Sequence, residues 1–203
     1  MIFDLGGVLL DWNPRHVYRD YFDTSEQMEQ FLAEIDFSAW NRQQDLGRPF
    51  DEGVALLSTQ FPKYAALIRV YHEHWEESIA GPIPGSVEIA RAVRAAGYPL
   101  FALSNWSAET FPIARIKYGW LGLFDSILIS GDVQVAKPDP EIYKLMLRRV
   151  RQPAGACLLI DDAVQNVTTA EALGFQAIRF ESPGQLTGQL TKLGILQTPG
   201  PLD

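Results

Sequence analysis

Three apolar runs in this chain end in residues that can act as acid, base, nucleophile or metal ligand. Met1-Ile2-Phe3 ends in Asp4 and breaks into Leu5-Gly6-Gly7. Leu100-Phe101-Ala102-Leu103 ends in Ser104-Asn105, and Cys157-Leu158-Leu159-Ile160 ends in Asp161-Asp162. A lysine, Lys137, sits in the turn Val135-Ala136-Lys137-Pro138-Asp139-Pro140, just ahead of a helix. A carboxylate at the end of a buried strand is costly unless something pairs or coordinates it. In a parallel sheet these strand ends share one edge, where open α/β sheets form their ligand crevice. Carboxylates crowded there repel, and they do not all ionise unless a cation is present. Hard oxygen donors with spare coordination positions suit Mg²⁺, which keeps waters and binds substrate phosphate. A lysine beside such a cation suits an anionic substrate. Taken singly, each of these residues is an ordinary turn or cap former; their coincidence on one edge is what points to a site.

The elements that must position them follow from the pattern. An apolar run bounded by a glycine turn reads as a buried strand, and such runs recur at 100–103, 126–129, 157–160 and 177–180. Helices are expected between them: Val87 to Ala96 ended by Gly97, Ser107 to Tyr118, Pro140 to Val150 with a first-turn proline, Val164 to Leu173 ended by Gly174, and Gln185 to Leu193. Continuous apolar strands alternating with helices predict an α/β fold, a doubly wound, Rossmann-like parallel sheet with helices on both faces. Residues 13–81 read differently, as helices without strands. Thr24 and Gln27 form a capping box ahead of Met28, Phe31, Leu32 and Ile35. Pro49-Phe50 opens a helix carrying Val54, Leu57 and Phe61, and a third run carries Leu67, Ile68, Tyr71 and Trp75. The punctuation Gly81-Pro82-Ile83-Pro84-Gly85 ends this segment. The expected organisation is a core of residues 1–12 and 82–203 with a helical cap, 13–81, inserted after the first strand. The Pro/Gly-rich tail from Gln197 to Asp203 is expected to be poorly ordered.

Composition narrows the partners. The formal net charge of −8 speaks against nucleic acid, and no stretch is long and apolar enough to span a membrane. No basic segment precedes an apolar one in the manner of a signal peptide. A single cysteine, Cys157, suits a reducing, cytoplasmic setting. Monomer or homodimer is expected. Only three residues precede Asp4, against about five or six in an average strand: the strand is short or the chain starts upstream of Met1.

The four motifs together resemble the haloacid dehalogenase-like hydrolases, chiefly phosphatases. Phe3-Asp4-Leu5-Gly6-Gly7-Val8 is similar to the first motif, Leu103-Ser104-Asn105 to the second, Lys137-Pro138 to the third and Asp161-Asp162 to the fourth. The helical insert resembles the cap of the subfamily that includes sugar-phosphate phosphatases and 2-haloacid dehalogenases. The resemblance implies that Asp4 is the nucleophile of an aspartyl-phosphate mechanism. It implies that Ser104 and the backbone around Asn105 bind phosphoryl oxygens, that Lys137 neutralises developing charge, and that Asp4, the Gly6 carbonyl, Asp161 and Asp162 hold Mg²⁺. Asn166, one turn into the next helix, either orients that shell or is a helix-face residue.

One position departs from the resemblance. Family phosphatases usually carry a second aspartate two residues after the nucleophile, as general acid and base; here it is Gly6. Such help is worth about 10²–10⁴-fold. Asp11 and Arg15, in the loop to the insert, are candidates to reach the substrate. His16, His72 and His74 have no metal-site spacing, and Trp40, Tyr64, Tyr71 and Trp75 read as cap core. The expected activity is Mg²⁺-dependent hydrolysis of a small phosphorylated metabolite, with a sugar phosphate favoured. The alternatives are a 2-haloacid dehalogenase using Asp4 without metal, and a catalytically weak binding homologue.

Overall fold

The computed structural model describes residues 1–197; the expectation for the tail falls almost wholly outside them. In chain order, β1 (Ile2–Phe3) is followed by β2 (Leu10–Trp12), then by helices α1 (Arg15–Tyr18), α2 (Ser25–Glu34), α3 (Phe37–Asp45), α4 (Phe50–Gln60) and α5 (Ala65–Glu73), and by β3 (Ile79–Pro82). Next come α6 (Ser86–Ala95), β4 (Phe101–Ser104), α7 (Phe111–Lys117), β5 (Ser126–Ile129), α8 (Ser130–Val133) and α9 (Pro140–Val150). The chain closes with β6 (Leu158–Asp161), α10 (Val164–Ala172), β7 (Gln176–Arg179) and α11 (Pro183–Lys192).

Five strands form one sheet in the order β5-β4-β1-β6-β7, all parallel. The first strand in sequence is therefore central, and the chain winds outward from it in both directions, as a doubly wound sheet requires. Strand β1 has only two residues, but its register is set on both sides: Phe3 lies opposite Ala102 of β4 and Ile160 of β6. Alternation then divides the apolar side chains. Ile2, Leu103 and Leu159 pack with Ile142, Tyr143 and Met146 of α9 on one face. Phe3, Ala102 and Ile160 face the other, where a single buried cluster continues into the inserted helices through Tyr18, Phe31, Trp40 and Tyr71. Both side chains of β1 are fully buried, and full burial is worth about 1.5–3 kcal/mol for each.

The insert is held by aromatic rings as much as by helix propensity. The Tyr71 ring meets Phe37 at 4.8 Å, Trp40 at 5.9 Å and Phe50 at 6.2 Å between centroids. Of the expected capping box the N-cap half is present, with the Thr24 hydroxyl accepting from the Gln27 N–H. Helix α3 has its own start, Asp36 in the left-handed region with its carboxylate accepting from Ala39.

Two expectations are corrected. The segment 13–81 is not free of strands, because β3 pairs antiparallel with β2, Leu10 opposite Pro82 and Asp11 opposite Gly81. This ribbon brings the two ends of the insert together. The helix expected from Ser107 begins only at Phe111: the Ser107 hydroxyl accepts from the Glu109 N–H, making a local turn instead. Among the described residues no helix is long and apolar enough to cross a membrane.

Candidate active site

Asp4 follows β1 directly, and its N–H still donates to Ile160 O at 2.8 Å, so the ladder carries it to the sheet edge. Its Oδ1 accepts from the Leu5 N–H and from the Ser104 hydroxyl, both at 2.7 Å. Its Oδ2 lies 2.8 Å from Lys137 Nζ. The same ammonium lies 2.6 Å from Asp161 Oδ2. Lys137 is 1% exposed, and such a side chain is tolerated only with partners; here it has two. Burial alone would pull its pKa down, but the adjacent Asp4 and Asp161 carboxylates outweigh that and hold it above the ordinary lysine value.

Asp161 and Asp162 are consecutive, but Asp161 is the last residue of β6 and Asp162 lies beyond the strand end, so they do different work. Asp161 is fully buried. Beyond Lys137, its Oδ1 accepts from Asn166 Nδ2 at 2.9 Å and from the Ala163 N–H at 3.0 Å. Asn166, weighed evenly from sequence, is thus a buried partner of the cluster rather than a free helix-face residue. Asp162 is exposed toward the cavity, and burial of part of its surface with the Asp161 charge raises its pKa.

Oxygens of Asp4, Asp161 and Asp162 lie within 4.8 Å of one another. Three carboxylates face one ammonium, and burial followed by the Asp161 charge pushes Asp4 up to about 7 despite Lys137 and Ser104. This donor set fits a hard divalent cation, which would relieve the excess negative charge. Gly7 shows how tightly the cluster is built. Its φ is +73°, and a Cβ there would stand 2.4 Å from Asp162 Oδ2. Gly7→Ala is expected to cost about 1–3 kcal/mol and to displace Asp162; urea unfolding beside the wild type measures it.

The clamp on Lys137 extends to its backbone. Asn105 donates from Nδ2 to Lys137 O at 2.9 Å and accepts the Lys137 N–H on Oδ1 at 2.8 Å. Both ends of this amide help hold the lysine loop, each with one bond, and Asn105 also lines the cavity above the carboxylates. From the insert, Arg42 donates to the same Lys137 carbonyl at 3.2 Å. The Ser130 hydroxyl donates to Asp45 O at 2.5 Å. The end of α3 is therefore fixed over the sheet edge.

Above the carboxylates lies a cavity of about 360 Å³ whose lining includes Asp4, Gly6, Ser104, Asn105, Lys137, Asp162 and Asn166. The insert side adds Asn41, Asp45, Phe50, Tyr71 and Trp75. Tyr71 and Trp75 thus serve as cavity wall as well as core, and sequence periodicity could not separate the two. Asp45 was missed altogether; its only signal is an acidic residue at the end of a helical face. Asp11 and Arg15, the loop candidates, do not line the cavity. Asp11 sits in the ribbon with His16 at 3.6 Å, and Arg15 pairs with Glu29 through both guanidinium arms.

Comparison with known proteins agrees with this geometry. The family model described as haloacid dehalogenase-like hydrolase matches residues 1–174. A sesquiterpene phosphatase of Aspergillus oryzae is 26% identical over 174 residues, covering 85% of each chain. A phosphorylated carbohydrates phosphatase of Thermotoga maritima is 26% identical over 190 residues, 88% of this chain and 82% of that one. Other relatives are longer, and a drimenol cyclase of Aspergillus calidoustus matches over 18% of its length. Among solved structures, a haloacid dehalogenase family enzyme of Bacteroides thetaiotaomicron, in complex with magnesium and inorganic phosphate, superposes with a TM-score of 0.66. It is 20% identical, over 89% of this chain and 93% of that one. With four motifs on one sheet edge and a family match across most of its length, the chain belongs to the haloacid dehalogenase-like hydrolases.

Proposed function

We propose that the chain is a Mg²⁺-dependent phosphomonoesterase of small organic monophosphates, acting through an aspartyl phosphate on Asp4. The observation that carries this is Asp4 itself. One carboxylate oxygen is fixed by an N–H and a hydroxyl, the other lies against Lys137, and two further carboxylates stand beside it. A nucleophile so held is aimed before substrate arrives, which is where positioned catalysis gains most. Ser104 orients the attacking oxygen, and Lys137 offsets charge on the transferring phosphoryl group. Asp4, Asp162 and the Gly6 carbonyl would hold Mg²⁺, with Asp161 as a further carboxylate of the cluster; bound there, the ion supplies Lewis-acid stabilisation of phosphoryl oxygens. Asp161, bonded to Lys137, Asn166 and Ala163, also fixes the lysine and the strand end.

The sheet-edge half of the cavity is polar, while Trp12, Phe50, Tyr71, Trp75 and Trp106 wall the rest. Flat rings of this kind receive either the apolar face of a sugar or a hydrocarbon group. The carbohydrate and sesquiterpene phosphatases among the relatives span the same range. A sugar phosphate remains the class proposed from the motifs. A panel of sugar, prenyl and alkyl monophosphates, assayed for released phosphate with Mg²⁺ and again in excess chelator, tests the reading. Release that needs the metal is expected, and full activity in chelator contradicts it. Halide release from 2-chloropropionate without Mg²⁺, abolished by Asp4→Asn, would instead establish a dehalogenase.

A further inference from the structure

The proposed chemistry leaves one role unfilled. The leaving alcohol must receive a proton, and the water that later attacks the aspartyl phosphate must lose one. Position 6, where the family resemblance leads one to expect an acid, is a glycine with open space: a Cβ there would meet nothing nearer than Trp12 Cβ at 3.9 Å. The titratable side chains around the cavity are Asp4, Asp45, Tyr71, Lys137 and Asp162. Asp4 is the nucleophile, Lys137 is closed on two carboxylates, and Asp162 belongs to the cation cluster. The Tyr71 phenol is pushed above its ordinary value by burial, so it is a poor proton carrier near neutrality. Asp45 remains.

We infer that Asp45, delivered to the cavity by the end of α3, is the general acid and base that Gly6 cannot be. This rests on the phosphatase reading above. Its placement is fixed rather than fortuitous. Asn41 donates from Nδ2 to Asp45 Oδ2 at 3.1 Å, and the Asp45 carbonyl takes the Ser130 hydroxyl. The neighbouring Arg42 is tied to the loop that carries the catalytic lysine. Asn41 fixes Oδ2 as an acceptor, which orients the carboxyl that carries the proton. The surroundings suit a proton carrier. Burial pushes the Asp45 carboxyl up to about 7, the Arg42 charge and the Ser107 N–H oppose, and the Asp4 charge adds to the rise. An acid poised near neutrality serves both halves of a two-step reaction.

In the first half, an Asp4 oxygen bonds to phosphorus and the bond from phosphorus to the ester oxygen breaks. The departing oxygen takes the Asp45 proton and leaves as the alcohol. In the second, the Asp45 carboxylate takes a proton from water as the water oxygen bonds to phosphorus. The bond from phosphorus to Asp4 breaks, inorganic phosphate leaves, and both carboxyl groups return to their starting states.

The test separates proton transfer from positioning by the quality of the leaving group. Nitrophenolate leaves without protonation, whereas an alkoxide does not. With Asp45→Asn and Mg²⁺, an alkyl phosphate is expected to turn over about 10²–10⁴-fold more slowly than with wild type. p-Nitrophenyl phosphate should still give a rapid burst of one nitrophenolate per site, followed by slow turnover as the aspartyl phosphate waits for a base. Adding Gly6→Asp, where a Cβ meets only ordinary contact, should restore alkyl turnover at least tenfold. If the Asn variant does not fold, Asp45→Glu and Asp45→Gln make the same comparison, and equal alkyl turnover by those two overturns the assignment. So does a burst that falls by the same factor as alkyl turnover, or an Asn variant as active as wild type on both esters. A wild type inert toward every monophosphate removes the phosphatase reading and Asp45 with it, a result distinct from an active enzyme indifferent to Asp45.

Discussion

Asp4→Asn is expected to lose on the order of 10⁴–10⁶-fold in kcat while the protein stays folded. The amide cannot attack phosphorus, so the loss is in the chemical step. The fold survives because Asn keeps the two hydrogen bonds that Oδ1 accepts, from Leu5 and Ser104. The charge relation is more finely balanced. Asp4 has its pKa raised from 3.8 to about 7. A raised acid gives stability that is fully present below pH 3.8 and lost as the pH climbs through about 7. Asn never ionises, so the variant avoids that loss. Against it, the amide nitrogen faces the Lys137 ammonium, donor against donor, although Lys137 keeps Asp161. The expected outcome above pH 7 without metal is a melting temperature equal to or above that of the wild type. Mg²⁺ should raise the wild-type melting temperature further than the variant's, since it binds only the folded state and the variant offers one charge fewer. Thermal melts at pH 8 with chelator and with Mg²⁺ make the comparison.

Lys137→Met is expected to damage stability most. Methionine fills the space but leaves the Asp4 and Asp161 oxygens, 2.8 and 2.6 Å from the ammonium, without their cation. Breaking a buried pair by removing one partner costs about 3–5 kcal/mol, a large share of the ~5–15 kcal/mol that holds a domain together. The sign of the pH dependence follows. Without the lysine, Asp4 has even less reason to ionise, so in acid it takes a proton and the penalty shrinks. Urea midpoints for the variant should therefore approach the wild type at pH 5 and fall well short of it at pH 8. A penalty independent of pH would mean that packing, not charge, is what Lys137 supplies. Activity should be lost as well, since phosphoryl charge is no longer offset.

The sheet edge was legible in the residue pattern because continuous apolar strands admit polar residues only where they end, so Asp4, Ser104 and Asp161-Asp162 marked themselves, while Lys137 was marked by its turn ahead of a helix. Their division of labour was not. The strand end buries Asp161 and leaves Asp162 exposed just beyond it, but a pair of identical residues gives no sign of where the strand stops. The two-sided use of Asn105 on the Lys137 backbone depends on a contact 32 residues apart along the chain. Inside the insert, helical periodicity identified apolar faces but not what lies beyond a helix end, so Asp45 passed unnoticed. Nor did it separate core aromatics such as Trp40 from Tyr71, which is both core and wall. The β2–β3 ribbon escaped because Gly81 and Pro82 read as breakers, and a two-stranded edge ribbon tolerates both.

A covalent bond between Asp4 and the phosphoryl group is the step on which the proposed mechanism depends. The direct measurement is to mix enzyme, Mg²⁺ and a phosphomonoester, quench in acid within one turnover, reduce with borohydride and sequence the N-terminal peptide by mass spectrometry. An aspartyl phosphate is reduced to homoserine, so homoserine is predicted at position 4, increased in the Asp45→Asn protein and absent from Asp4→Asn. Phosphate released at the normal rate with Asp4 recovered unmodified, or homoserine found at position 161 or 162, would contradict it.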